Sequence, residues 1–255
     1  YYLSAGSLNQ DGVIKGPQGY ARQNVRVKGT HFFRDDLQIG GNLAFTRSSG
    51  DFVQQGSNIS GIQLGALRTP PDFNNCRNDN GYQCYLNPEG LHFSYRRRNP
   101  TSLTQSRGYD NPFWVANELR NTSTVGRGFG NLSLDYTPTT WLKFGYLLGA
   151  DYTSDERLSI FPKSSAAQLQ GAIFRANIVR QILDSNLTAT LSGELGDRFS
   201  GSVTLGQNLN QREEWWNQVN GKTLIFGTEE TDYAVTNTGD EYKEKIRIDG
   251  YFISG

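Results

Sequence analysis

Few of the residues that carry chemistry are spaced to perform it. The sequence holds two histidines, His31 and His92, and neither lies at a metal-ligating spacing. His31 reads as an interfacial residue near a strand end. No GxSxG elbow occurs, and no Ser–His–Asp set is suggested. Asp151, Asp155 and Glu156 are close neighbours, but acid–base chemistry also needs a cleft and shifted pKa values, so they read as a solvated rim. Gly126-Arg127-Gly128-Phe129-Gly130 has the composition of a phosphate loop without a strand before it and a helix after it. It reads as glycine-rich strand. Asp79 stands among asparagines, yet the glycine and glutamate positions of a calcium loop are missing. No catalytic residue, cofactor or metal is expected, and the chain is not expected to be an enzyme.

Two features outlast that screen. Cys76 and Cys84 are the only cysteines, both within a long polar stretch. A disulfide between them suits an oxidising compartment, with Asn80-Gly81 supplying the turn; two free thiols are the alternative. Trp215-Trp216 follows Arg212-Glu213-Glu214 and, with Trp114, is a candidate contact for a ligand or partner. Such aromatics stack on sugar rings or build interfaces; packing within a loop or an interfacial belt explains them equally well.

The elements that must position these residues are strands. Between Asn121 and Arg157 the sequence alternates strictly, first through Leu132, Leu134 and Tyr136, then through Leu142, Phe144, Tyr146, Leu148, Ala150 and Tyr152. The intervening positions are mostly polar or glycine. This is the period of a strand with one apolar side, and Thr137-Pro138-Thr139-Thr140 supplies a turn between the two arms. Each arm exceeds the roughly 9–11 residues a tilted strand needs to cross a bilayer. Similar runs occur at Tyr1–Gln10, Tyr20–Phe33, Leu37–Ser48, residues 170–195, Phe199–Asn210 and from Tyr242 onward. Residues 57–68 change to a helical period.

The connections measure about 10, 3, 72, 4, 13, 3 and 30 residues. A short link follows every second strand, the sorting of an outer-membrane barrel with short periplasmic turns and long outer loops. The fold class expected is all-β: an antiparallel transmembrane β-barrel of which residues 1–255 form part, in about eight strands. Long extracellular loops are expected near 49–120 and 213–241. The chain has no run of 18 apolar residues, which excludes a spanning helix and leaves a barrel open. Lys and Arg total 25 against 25 Asp and Glu, so no nucleic-acid partner is indicated. Both ends fall inside alternating runs, and the chain is read as an internal piece of a longer polypeptide.

Several strings, in the right order through most of residues 1–210, resemble SusC/RagA-type TonB-dependent transporters. They are Tyr1-Tyr2-Leu3-Ser4-Ala5-Gly6 with Leu8-Asn9-Gln10-Asp11-Gly12, Leu67-Arg68-Thr69-Pro70-Pro71, Asp110-Asn111-Pro112-Phe113-Trp114, and Gly130-Asn131-Leu132-Ser133-Leu134-Asp135-Tyr136 with Trp141-Leu142. The resemblance implies a 22-stranded outer-membrane barrel with an N-terminal plug, absent here. It implies import of oligosaccharides, peptides or other nutrients, TonB acting through the missing N-terminal region, and a SusD-like lipoprotein lid. Outer-membrane lipid and a nutrient ligand would be the remaining partners. In that setting Arg26, Lys28, Asn42, Asn131, Asp135, Lys143 and Asp151 face the lumen. The rival from another class is a soluble or surface-exposed β adhesion module that binds glycans through its loops.

Overall fold

The computed structural model describes residues 1–77, 84–98, 100–102, 108–195, 199–225 and 230–255. Eight strands form one sheet in sequence order. They are β1 (Tyr2–Asp11), β2 (Gly19–Arg34), β3 (Leu37–Asp51), β4 (Arg120–Thr139), β5 (Leu142–Phe161), β6 (Ala172–Leu195), β7 (Phe199–Leu224) and β8 (Ala234–Ser254). Each pairs antiparallel with the next. Between β3 and β4 lie two short helices, α1 (Ile62–Leu67) and α2 (Pro112–Glu118). No helix among the described residues is long and apolar enough to cross a membrane.

Register gives the sheet two unlike faces. Val27 pairs with Leu43, and across β4 and β5 Leu134 pairs with Ile39 and Tyr146. Phe144 continues to Ala189 and Leu205. All these side chains share one apolar face, which is widely exposed: Leu43 is 66% and Leu205 48% accessible. Contiguous exposure on this scale is untenable in water and natural against lipid. The apolar run does not follow the register throughout. It ends at Phe45 on β3 and at Tyr152 on β5, which meet through Gly128. The partners of Tyr152 further along are Gln181, Glu213 and Lys245. There the apolar run stops short, at Leu183, Leu209 and Tyr251, nearer the short-turn end. Gly130 has no room for a side chain: a Cβ would sit 2.3 Å from the Asn42 carbonyl oxygen, so that position accommodates the β3 backbone.

Two expectations need correction. The loop placed at 213–241 is mostly strand, because β7 runs to Leu224 and β8 begins at Ala234. Both faces of this segment carry polar groups, so alternation does not mark it as strand; pairing with β6 and β8 orders it. The turn placed at Thr137–Thr140 is tighter: β4 continues through a register shift between Tyr136 and Thr139, with Pro138 inside it. A residue without an N–H is tolerated at such an irregularity. The Gly196–Arg198 turn, Asn80-Gly81 and Asp79 lie outside the described residues. The stretch after β3 is a folded unit with its own core. Ile62, Cys84, Tyr85, Trp114, Val115, Ala116 and Leu119 pack with Phe161 and Ala172 at the ends of β5 and β6. Asn111 caps α2 by accepting from the Phe113 N–H at 2.9 Å, with Pro112 opening the helix, the favoured arrangement at a helix start.

Candidate functional site

The seven polar residues expected to face a lumen do share one face. Lys28 pairs with Asn42 and Asn42 with Asn131, while Arg26 donates to Asn42 Oδ1 at 2.7 Å. Lys143 meets Asp135 at 3.2 Å, and Arg127, not foreseen, grips Asp151 through two nitrogens. Further along the same face a ladder of amides links the strands. Asn208 donates to Asn186 Oδ1 at 2.6 Å, Asn186 to Asp184 Oδ1 at 2.7 Å and Asn210 to Asp184 Oδ2 at 2.8 Å. Arg180 pairs with Glu214 at 2.7 Å and Arg157 with Asp155 at 2.6 Å. Exposed pairs of this kind add little stability. Their effect is to hold a continuous hydrogen-bonding surface in fixed positions. Asp155 was read as rim and is 8% accessible, bonded to Ser123 and Arg157.

The tryptophans do not form one contact. Trp215 and Trp216 are successive residues of β7 and point to opposite faces. Trp215 lies between Val179 and Lys243, and Trp216 between Ile178 and Tyr242, stacked on the latter at 6.0 Å. Trp114 is 3% accessible and stacks on the His92 ring at 4.4 Å, so it belongs to the core of the folded unit.

Sequence reasoning missed the cluster around His92. His92 Nε2 lies 3.0 Å from Asp110 Oδ1, and His92 Nδ1 lies 3.1 Å from Ser164 Oγ. Asp110 also accepts from Ser165 Oγ at 2.8 Å and the Ala166 N–H at 2.6 Å. Arg97 donates to the Ser164 carbonyl. The residues stand 18 and 54 positions apart, with no spacing signal to announce them. Their order is that of a serine, histidine and acid relay. However, His92 and Ser164 are 0% and 3% accessible, and a sealed hydroxyl meets no substrate. The cluster works as a clasp between the folded unit and the β5–β6 connection.

Burial holds the His92 imidazole below its ordinary value of 6.5, outweighing Asp110, while Arg97 acts in the same direction as burial. A histidine whose folded pKa is depressed binds more protons unfolded than folded. The clasp therefore has its full strength above about pH 6.5 and loses it as the pH falls below that value. Acidification should loosen the clasp, read as a change in Trp114 emission that a His92→Gln variant does not show. An unchanged signal through acid pH in the parent would refute this.

Cys76 and Cys84 are joined by a disulfide, and the Arg77 N–H donates to the Cys84 carbonyl at 2.9 Å. Closing so short a loop contributes about 2–3 kcal/mol in the chain-entropy account. Reduction should lower the unfolding free energy of the folded unit by that amount, measured by hydrogen exchange at α2 with and without reductant. Equal exchange would show that the bridge adds nothing. No group of metal-ligating side chains occurs among the described residues.

A two-faced antiparallel wall, with short turns at one end and elaborated connections at the other, defines a sector of a transmembrane β-barrel. Solved structures bear that out. The fold matches a chain of the RagAB peptide transporter with a TM-score of 0.71 and 14% identity, covering 99% of this chain and 28% of that one. The RagAB peptide importer in its open-open state matches with a TM-score of 0.66 and 15% identity, over 99% of this chain and 27% of that one. Its closed-closed state gives 0.65 at 14% identity, over 98% and 28%. This chain thus spans little more than a quarter of those transporter chains. No family model and no curated protein matches the sequence.

Proposed function

We propose that this chain forms part of the barrel wall of a SusC-like, TonB-dependent transporter in the outer membrane of a Gram-negative bacterium. Its cargo would be oligosaccharides, peptides or comparable nutrients. The single observation that carries this reading is the match to the RagAB transporter over 99% of the chain. In this reading the apolar face meets outer-membrane lipid, and the polar face with Arg26, Lys28, Asn42, Asn131, Asp135, Lys143 and Asp151 lines the passage. The wall itself performs no covalent chemistry. TonB acts through a plug outside this chain, and a SusD-like lipoprotein covers the end that carries the folded unit.

Orientation tests it. In an antiparallel wall consecutive connections fall at opposite ends. Asp35–Asp36 and Thr140–Trp141 therefore face the periplasm, and the connections that leave Asp11, Asp51, Phe161 and Leu224 face outward. In intact cells an impermeant thiol reagent should label Asp232→Cys and leave Thr140→Cys unmodified. Equal labelling of both, or recovery of the protein as a monomer soluble without detergent, would overturn the transporter reading. The latter result would favour the adhesion module.

A further inference from the structure

On the surface of the folded unit two exposed arginines lie over aromatic rings. The Arg77 guanidinium lies 4.7 Å from the Phe73 ring centre and 4.7 Å from that of Phe93. Arg98 lies 4.7 Å from Tyr95 and 5.9 Å from Phe73. Phe73 meets Phe93 and Tyr95 edge to face at 6.5 and 5.6 Å. The backbone beneath is fixed too. Arg77 follows the bridged Cys76, and a tight turn closes by reciprocal bonds between Ser94 and Arg97 at 2.9 and 3.0 Å. Both arginines are exposed, and neither forms an ion pair among the described residues. Arg98 Nε donates to the Tyr95 carbonyl at 3.1 Å; the other guanidinium N–H groups of the two arginines have no hydrogen bond among the described residues and are free for a carboxylate.

Phe73 belongs equally to a groove of about 630 Å³, lined by Ile62, Pro70 and Phe113 with the amides of Gln63 and Asn75 at its border. An apolar groove joined by one shared ring to two guanidiniums without an ion pair among the described residues asks for a ligand with both characters. A polyanionic glycan has charge but little to bury in the groove, and the stacked arginines occupy faces of the rings that a sugar would use. A peptide offers apolar side chains, backbone groups for the amides, and carboxylates for the arginines. We propose that Arg77, Arg98 and the adjoining groove form a binding site for acidic peptides that also carry apolar side chains. The inference rests on the transporter reading only in treating such a peptide as cargo; the site itself does not depend on it.

The test is fluorescence anisotropy on the intact protein in detergent with a labelled Glu/Leu peptide, its Gln/Leu counterpart and unlabelled oligogalacturonate as competitor. The Glu/Leu peptide should bind and weaken with added salt. Exchanging Glu for Gln, or introducing Arg77→Gln with Arg98→Gln, should each reduce affinity roughly tenfold or more. Arg77→Lys with Arg98→Lys keeps the charge and loses the planar fork, so it should fall between them. Unchanged hydrogen exchange at α2 certifies the fold of each variant. Absence of peptide binding, equal affinity for both peptides, indifference to the substitutions, or displacement by oligogalacturonate at equal carboxylate concentration would overturn the proposal. Orientation plays no part in this measurement, so a failure here leaves the transporter reading to its own labelling test.

Discussion

Replacing Asp110 by alanine is expected to destabilise the folded unit by about 3–5 kcal/mol, the cost of leaving a buried cation without its carboxylate. Asp110 is 1% and Arg97 4% accessible. Burial pushes the Arg97 guanidinium below its usual value, and Asp110 opposes that shift. Arg97 Nε and Nη2 have no hydrogen-bond partner among the described residues, and Asp110 is the carboxylate that acts on the charge. Removing it would also strand Ser165 Oγ, the Ala166 N–H and His92 Nε2. Asp110→Asn retains an acceptor and the shape, and should lose less. Hydrogen exchange at α2 measures both. Exchange in the alanine variant at the parent's rate would mean that the clasp does not hold the unit down.

The second large effect belongs to the sheet. Leu134→Arg places a charge on the apolar face between Ile39 and Tyr146 and should cost about 2–4 kcal/mol if it lies near the bilayer midplane. Asn131→Arg, on the opposite face of the same strand, should cost under about 1 kcal/mol. Urea unfolding from lipid vesicles gives both values. Equal losses would mean that the two faces meet the same surroundings and that the lipid assignment is wrong.

Some parts of this fold are announced by the sequence and others are not. Leu132, Leu134, Phe144 and Tyr146 repeat every second position because one side of the sheet meets an apolar medium, so the strands near the short turns were legible. From Arg212 to Leu224 both sides of β7 carry polar groups: Glu213 bonds Lys243 on one face and Glu214 bonds Arg180 on the other. Only the neighbouring strands reveal that this is sheet. α2 was hidden for a different reason. Trp114, Val115 and Ala116 are all buried, so no helical stripe appears, although Asn111-Pro112 is a helix-start signal. The clasp was illegible on any local ground, since His92, Asp110 and Ser164 meet only after the β5–β6 connection folds over the unit. That the polar residues share a face follows from the alternation, but the particular pairs, such as Arg127 with Asp151, depend on register.

The departure of the apolar run from the strand register has a consequence for the shape of the vessel. Laid level in a bilayer, the run leaves β2 only from Val25 back to Gly19 above it, six positions or about 20 Å of strand. On β8 it leaves everything from Tyr251 back to Ala234, seventeen positions or about 55 Å. The rim is therefore a sloping parapet, low at β1 to β3 and high at β6 to β8. The folded unit packs on both sides of this slope, on Phe161 and Ala172 toward the high end and on Ile14 and the Gln18 amide toward the low end. Low sill and tall back wall are thus tied together across the mouth by one folded piece.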